Sequence, residues 1–334
     1  MSKIKRNKDF NYLIRIFQNF VISWYIYMGI KLGIFDFITD KRYRVETIAK
    51  KLNLRKQILA DWCNSMIAEG LMIKKNDEYE LTEWSRKYLC KDSKIYIGFI
   101  ISAVEYFSNA FSHFENNFKK DKKFFECNSR QMLKIVRNIA PIADIVSYVI
   151  LKELDIVNEP FKILDVGCGL GNYLLNLAEE IPKIEGLGID IEPIIIEEAR
   201  KLANKKGLSD KIKFKEGNAL DLNLNEEFDL IILSNIIQAF NFKQNKKLFG
   251  NLNYLLKKKG KIIMIDCLLD KDKRDAKFNI LFNLYLKFES LSARLYTLDE
   301  IKKIANSNSL QVSKYNHLLL GIDLIIIEKI NEIS

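Results

Sequence analysis

From about residue 160 onward the chain repeats one pattern, in which a short apolar run ends in a glycine or a polar residue and a helical segment commonly follows. The runs are KILDVG, IEGLGID, IKFKEG, FDLIILS and GKIIMID. The segments between them include IIIEEARKLANKK and KQNKKLFGNLNYLLKKK, where Leu248, Leu252, Leu255 and Leu256 recur at helical spacing. Strands that are apolar along their length are buried on both faces, and joining them through helices gives a parallel sheet covered on either side. The last two runs, SLQVSKYNH and GIDLIIIEK, lie within a few residues of each other. A parallel crossover needs a dozen residues or more, so this final pair is expected to be an antiparallel hairpin.

The first strand of this half runs into ILDVGCGLGNYL, with Gly167, Gly169 and Gly171 in five positions. Such a run is tolerated where something approaches the backbone more closely than a Cβ allows. In an open parallel sheet, ligands bind outside the carboxyl ends of the strands, beside the first one. The dinucleotide fingerprint is GxGxxG, whereas this turn reads GxGxG and has an acid, Asp165, just before it. A carboxylate there repels a pyrophosphate and welcomes an ammonium group. Asp190 ends the second strand, where it can accept hydrogen bonds from both hydroxyls of a ribose. Asn218 follows the third strand and suits an adenine edge. An ammonium, a ribose, an adenine and no phosphate together describe S-adenosylmethionine.

Residues 45–90 have their own logic. VETIAKKLNL places Ile48, Ala49 and Leu52 on one face of a short helix. RKQILADWCNSMIAEG repeats Leu59, Trp62, Cys63, Met66 and Ile67 at helical spacing before Gly70 stops it. LMIKKNDEYELT alternates about an Asn-Asp turn, as a hairpin does. Helix, helix, hairpin is a winged-helix order. As a DNA reader it is poorly equipped, because its second helix offers Arg55 and Lys56 but also Asp61 and Glu69, which would face phosphates. The preceding helix, about Phe10 to Lys31, is apolar nearly all round and needs partners on several sides. Residues 95–155 read as helical, with an aromatic series Tyr96, Phe99, Tyr106, Phe107, Phe111 and Phe114 suited either to core or to an apolar substrate pocket.

Composition sets the remaining bounds. A hydrophobic share of 48% in 334 residues supports a packed protein of one large or two smaller domains. The formal charge of +10 is spread among neighbouring acids, which describes a solvated surface better than a nucleic-acid footprint. Five cysteines without CxxC spacing argue for a reduced, cytoplasmic protein. No secretory signal is expected from the opening residues. FVISWYIYMGIKLGIFDFI is interrupted by Lys31 and Asp36, so it is read as buried helix and no membrane span is expected.

At LDVGCGLG, GIDIEP, FKEGNALD and DLIILSN the sequence resembles the class I S-adenosylmethionine-dependent methyltransferases. Over most of its length it resembles one branch, the dimeric small-molecule O-methyltransferases of the plant caffeate and bacterial hydroxyneurosporene type. The resemblance implies an α/β, Rossmann-like domain over 158–334, with a parallel sheet and an antiparallel final strand. It also implies a winged-helix dimerisation domain over 1–92 and linking helices over 93–157 that contribute to the substrate pocket. It implies a homodimer and a small-molecule acceptor held between the domains. Cofactor binding falls on Asp165, Gly167, Gly169, Gly171, Asp190, Ile191, Asn218, Ala219, Ser234 and Asn235. The Asp and Asn ligands of the metal-dependent catechol-type branch cannot be assembled here, so no metal is expected.

One position departs from the branch. Its fourth strand is followed by a motif like Asn-Val-Leu-His-Asp-Trp, whose histidine takes the acceptor's proton. Here the stretch is Asn235-Ile236-Ile237-Gln238-Ala239-Phe240, with Gln238 in the histidine's place. An amide does not titrate near neutrality and cannot act as a general base. Three accounts follow. The nucleophile needs no base; or another residue supplies one, among His113, His317 and Asp266, with Cys267 beside the last; or the fold serves another use. Phe240, Phe278, Phe282 and Tyr285 are candidates for an apolar acceptor pocket. The rival functions are a DNA-binding regulator that senses a metabolite, and an RNA or protein methyltransferase.

Overall fold

The computed structural model describes the chain except residues 1–7, 94, 99–100, 102–103, 105–106, 109–110, 112–114, 116–117, 120–127, 155–159, 270–275, 319–320 and 331–334, and the side chains of residues 276 and 289. It falls into two compact units, Met1–Phe111 and Ser112–Ser334.

The first unit opens with α1 (Lys8–Lys31), followed by α2 (Ile34–Phe37), α3 (Val45–Leu52), α4 (Lys56–Ala68) and α5 (Glu83–Leu89). Three short strands, β1 (Tyr43–Arg44), β2 (Met72–Lys75) and β3 (Glu78–Leu81), make an antiparallel sheet in the order β1-β3-β2. The expected hairpin is present. Asn76 and Asp77 take left-handed φ of 50° and 63°, the conformation a two-residue turn with matching twist requires. Gly70 closes α4 with φ +71°. Ile34, Phe35, Ile38, Ile48, Cys63 and Met66 are buried together as the core of this unit. α1 contributes little to it. Only Tyr27, Gly29 and Ile30 of that helix are buried, while Phe10, Leu13, Phe17 and Phe20 stand exposed. It is also the one helix among the described residues long and apolar enough, by length and composition, to cross a bilayer.

The second unit starts with α6 (Ser129–Ile139) and α7 (Pro141–Lys152). A seven-stranded sheet follows, in the order β6-β5-β4-β7-β8-β10-β9, built from β4 (Phe161–Val166), β5 (Ile184–Asp190), β6 (Ile212–Glu216), β7 (Phe228–Ser234), β8 (Leu256–Cys267), β9 (Leu310–His317) and β10 (Ile322–Lys329). β4 through β8 are parallel, and β10 runs antiparallel between β8 and β9. The final hairpin therefore forms as expected. Between the strands lie α8 (Asn172–Glu180), α9 (Pro193–Lys205), α10 (Phe242–Leu255), α11 (Ala276–Glu289) and α12 (Leu298–Asn306).

Each sheet face has its own core. Ile163, Ile232, Ile263 and Leu324 pack on the side of α7 and α8. Leu164, Ile231, Met264 and Ile325 pack against α10 and α12. At about 1.5–3 kcal/mol for each fully buried aliphatic side chain, these two layers dominate the stability of the unit. One boundary differs from the sequence reading. Leu256 leaves the helix and pairs with Phe228 as the first residue of β8, so the lysines at 257–259 are strand, not helix tail. The leucine spacing is compatible with either state, and pairing with a buried neighbour decides it.

Candidate active site

The site grows from the end of β4, the middle one of the five parallel strands. Beyond Val166, the turn Gly167-Cys168-Gly169-Leu170-Gly171 leads into α8, with φ of +73°, +54° and +74° at its glycines. The turn is tied to β5. Gly167 and Cys168 each donate N–H to the Ile189 carbonyl, at 2.8 and 3.0 Å, and Gly169 N–H donates to Asp190 Oδ2 at 3.0 Å. What approaches these glycines is protein. A Cβ on Gly167 would lie 2.5 Å from Ile236 Cδ1, and one on Gly169 would lie 2.9 Å from Val136 Cγ1. One on Gly171 would overlap the ring of Phe214, which also fills the space above Gly188. The close approach read from the sequence is thus real, and apolar side chains make it.

Asp165 is fully buried, and neither of its carboxyl oxygens has a hydrogen-bond partner. Burial, with the nearby charge of Asp190, pushes its pKa up to about 8. An unpartnered carboxyl in that position is a group waiting for a donor, and an ammonium ion satisfies it by charge and by hydrogen bond together. Asp190 accepts from Gly169 N–H and, through Oδ1, from Glu192 N–H at 3.0 Å. Each oxygen keeps a second lone pair for a hydroxyl. Burial outweighs these donors and holds Asp190 above the usual carboxylate range. Ile191 beside it is 62% exposed, an apolar surface next to an acid. Asn218 Oδ1 accepts from Leu220 N–H at 2.9 Å, which closes the turn after β6, and Ala219 is buried there.

The end of β7 supplies the other wall. Ser234 Oγ donates to the Tyr173 hydroxyl at 3.3 Å, and Asn235 takes a left-handed φ of 52°. Gln238 sits in a single 3₁₀ turn, Ile237–Ala239. Several bonds hold that turn. Asn245 Nδ2 donates to the Ile237 carbonyl at 2.9 Å, Tyr296 O–H to the Phe240 carbonyl at 2.7 Å, and Arg294 N–H to the Gln238 carbonyl at 2.9 Å. The side chain it presents is under-used. Gln238 Nε2 reaches the Asn235 carbonyl only at 3.5 Å, and Oε1 is buried without a partner. Asp266, at the end of β8, is 1% exposed. On α11, Phe278 stacks on Phe282 and Phe282 on Tyr285, with centroids 6.1 Å apart in each pair.

The second unit therefore brings the β4, β5, β6 and β7 candidates to the carboxyl ends of adjacent strands of one sheet. Asp266 stands beside them. His317 is on β9, hydrogen-bonded through Nδ1 to Asp323 Oδ1 at 2.9 Å. His113, Phe99, Tyr106 and Phe114 lie outside the described residues. Sequence reading missed Val136, Ile236 and Phe214 as the groups that close on the glycines, because their contacts are long-range. It also missed Tyr173 and Asp323. Asp323 carried a signal, a lone acid at the head of the apolar run GIDLIIIEK. Among the described residues there is no cluster of three or more His, Cys, Asp or Glu side chains able to hold a metal.

Known proteins share parts of this sequence and this fold. Residues 158–313 match the family model described as a methyltransferase domain. Ajmaline N-methyltransferase of Rauvolfia serpentina is 36% identical over 87 residues, covering 26% of this chain and 30% of that protein. The chain spans between 21% and 50% of the length of the curated relatives it matches. Human N-acetylserotonin methyltransferase, solved in complex with SAM, superposes with a TM-score of 0.80 at 17% identity, covering 97% of this chain and 98% of that one. An O-methyltransferase family protein from Burkholderia thailandensis gives 0.77 at 17% identity, covering 95% and 97%. Residues 158–313 thus match a methyltransferase domain, in a chain that shares its fold with these solved methyltransferases.

Proposed function

We propose that the protein methylates a small-molecule acceptor with S-adenosylmethionine, and that it does so as a homodimer in a reducing compartment such as the cytoplasm. One observation carries the reading. Asp165 is a fully buried acid with two unpartnered oxygens at the end of β4, one strand away from Asp190. This pair suits an amino-acid ammonium and a ribose and is hostile to a pyrophosphate. Ile191, Asn218 and Ala219 would hold the adenine, while Gly167, Gly169, Gly171, Ser234 and Asn235 shape the walls around it.

When bound, the cofactor supplies an electrophilic methyl group on a sulfonium. The chain's own residues bind, orient and exclude water. Charge disappears as the methyl moves, so an apolar setting favours the reaction, and Phe240, Phe278, Phe282 and Tyr285 supply apolar surface of that kind. Positioning the acceptor atom within about 3–3.5 Å of the methyl provides much of the acceleration. Gln238 orients the acceptor through its free Oε1 and moves no proton.

Calorimetry tests this reading. S-adenosylmethionine or S-adenosylhomocysteine should bind with micromolar affinity, and Gly169→Val or Asp190→Ala should abolish binding. Tight uptake of a nicotinamide dinucleotide with indifference to both sulfur compounds would refute it. The regulator reading finds no support in α4, since Lys56 is paired with Glu46 at 2.6 Å. Salt-dependent retardation of duplex DNA would reinstate it.

A further inference from the structure

β8 and β10 bring two carboxyl groups face to face. Asp266 and Asp323 are register partners in an antiparallel pair, so their side chains leave the same face of the sheet. Both are buried, at 1% and 0% exposure. Their surroundings are unequal. Asp323 accepts hydrogen bonds from Tyr315 O–H at 2.8 Å, His317 Nδ1 at 2.9 Å and Leu268 N–H at 3.1 Å. Asp266 accepts one, from Cys267 N–H at 2.8 Å on Oδ1, and its Oδ2 is buried without a partner. Two adjacent buried carboxyls share one negative charge more readily than they carry two. The donors that converge on Asp323, against the single one on Asp266, favour a shared proton on Asp266. Burial, reinforced by Asp323, pushes Asp266 up to about 8.

The pair stands beside the candidate site. Asn235 N–H donates to the Ile265 carbonyl at 3.0 Å, so Asp266 begins where β7 turns toward Gln238. Tyr173, which Ser234 touches, feels the charges of both Asp165 and Asp266. Among the described residues, the titratable groups facing Asp266 are Asp323 from β10, His317 and Tyr315 from β9 through Asp323, Tyr173 from α8 and its neighbour Cys267.

We propose that Asp266 takes the acceptor's proton, the task Gln238 cannot perform, with Asp323, His317 and Tyr315 as positioning residues that keep it basic. The proposal rests on reading this domain as a methyltransferase. One O–H or N–H bond of the acceptor breaks toward Asp266 Oδ2, and one bond forms from that heteroatom to the methyl carbon. The electron pair of the broken carbon–sulfur bond stays on sulfur. Asp266 then returns the proton to water. Because only ionised Asp266 accepts a proton, the rate should rise about tenfold between pH 7 and a plateau above pH 8.

Infrared spectroscopy of the ligand-free protein tests the pair without turnover. The difference between wild type and Asp266→Asn should contain a neutral-carboxyl band at pH 7 that disappears on titration near pH 8. In Asp323→Asn the same band should titrate about one pH unit lower. Asp266→Asn should bind S-adenosylhomocysteine within about twofold of wild type, yet transfer labelled methyl from S-adenosylmethionine to a metabolite extract about 10²–10⁴-fold more slowly. A missing band at pH 7, an unmoved band in Asp323→Asn, or methyl transfer retained in Asp266→Asn overturns the proposal. Failure of the wild type to bind S-adenosylhomocysteine overturns the methyltransferase reading instead, and calorimetry reports that separately.

Discussion

An acid sealed from water with nothing to bond is an expensive residue, and Asp165 shows what the expense is for. Burial pushes its pKa up to about 8 from an ordinary 3.8. Between those two values the unfolded chain is ionised and the folded chain holds the extra proton, so stability falls as pH rises through the window. Asp165→Asn should flatten that slope, raising the melting temperature more at pH 8 than at pH 5. The same change should weaken S-adenosylmethionine at least tenfold, because a neutral amide cannot ion-pair with the ammonium. Cofactor binding to the wild type should release up to one proton, measurable at pH 7 as a buffer-dependent enthalpy. At Gln238 a contrary result is expected. Gln238→Ala should raise KM for the acceptor several-fold and leave every limb of the pH–rate profile in place, since an amide has no proton to lose in that range. Both positions were legible in the sequence, the acid before the glycines and the amide where the branch keeps a histidine. The pairing of Asp266 with Asp323 was not, because the register of β10 on β8 is set by packing some 57 residues away along the chain.

Among the elements, the glycine turn shows how a local signal acquires its meaning from distant packing. GxGxG announced a strand-to-helix turn, and its positive φ values confirm one. What occupies the space was invisible until Phe214, on β6, lay across both Gly171 and Gly188. Phe214→Ala should therefore do more than remove core area. A loss of about 3–5 kcal/mol in urea unfolding is expected, with weakened cofactor binding in the same variant. Gly171→Ala should also destabilise, since left-handed φ and the Phe214 ring oppose a Cβ together. If Gly171→Ala binds and unfolds like the wild type, the turn is not held by that ring. Strand and helix periods were readable because burial on both faces leaves an unbroken apolar run. The β8 boundary was not readable, since leucines and lysines serve either state equally well.

At the scale of the whole molecule, α1 is the feature its own unit leaves unexplained. Phe10, Leu13, Phe17 and Phe20 follow one another at roughly helical spacing and are 46%, 63%, 64% and 54% exposed. A stripe of that kind in water calls for a cover. A bilayer and a second copy of the chain are the two candidates, and the residues around the stripe separate them. Arg15, Gln18 and Asn19 sit within the same turns, and a cluster of polar and charged groups inside a bilayer is costly. An interface tolerates polar residues at its rim, where water still reaches them. These polar residues favour the proposed second copy over a bilayer as the cover. Leu13→Glu combined with Phe17→Glu should turn a dimer into a monomer at micromolar concentration in analytical ultracentrifugation. Asp190 belongs to the other unit, so Asp190→Ala should leave the mass unchanged. A wild type that sediments as a monomer, or that floats with lipid vesicles while the double variant does not, would show that the second copy is not what covers the stripe.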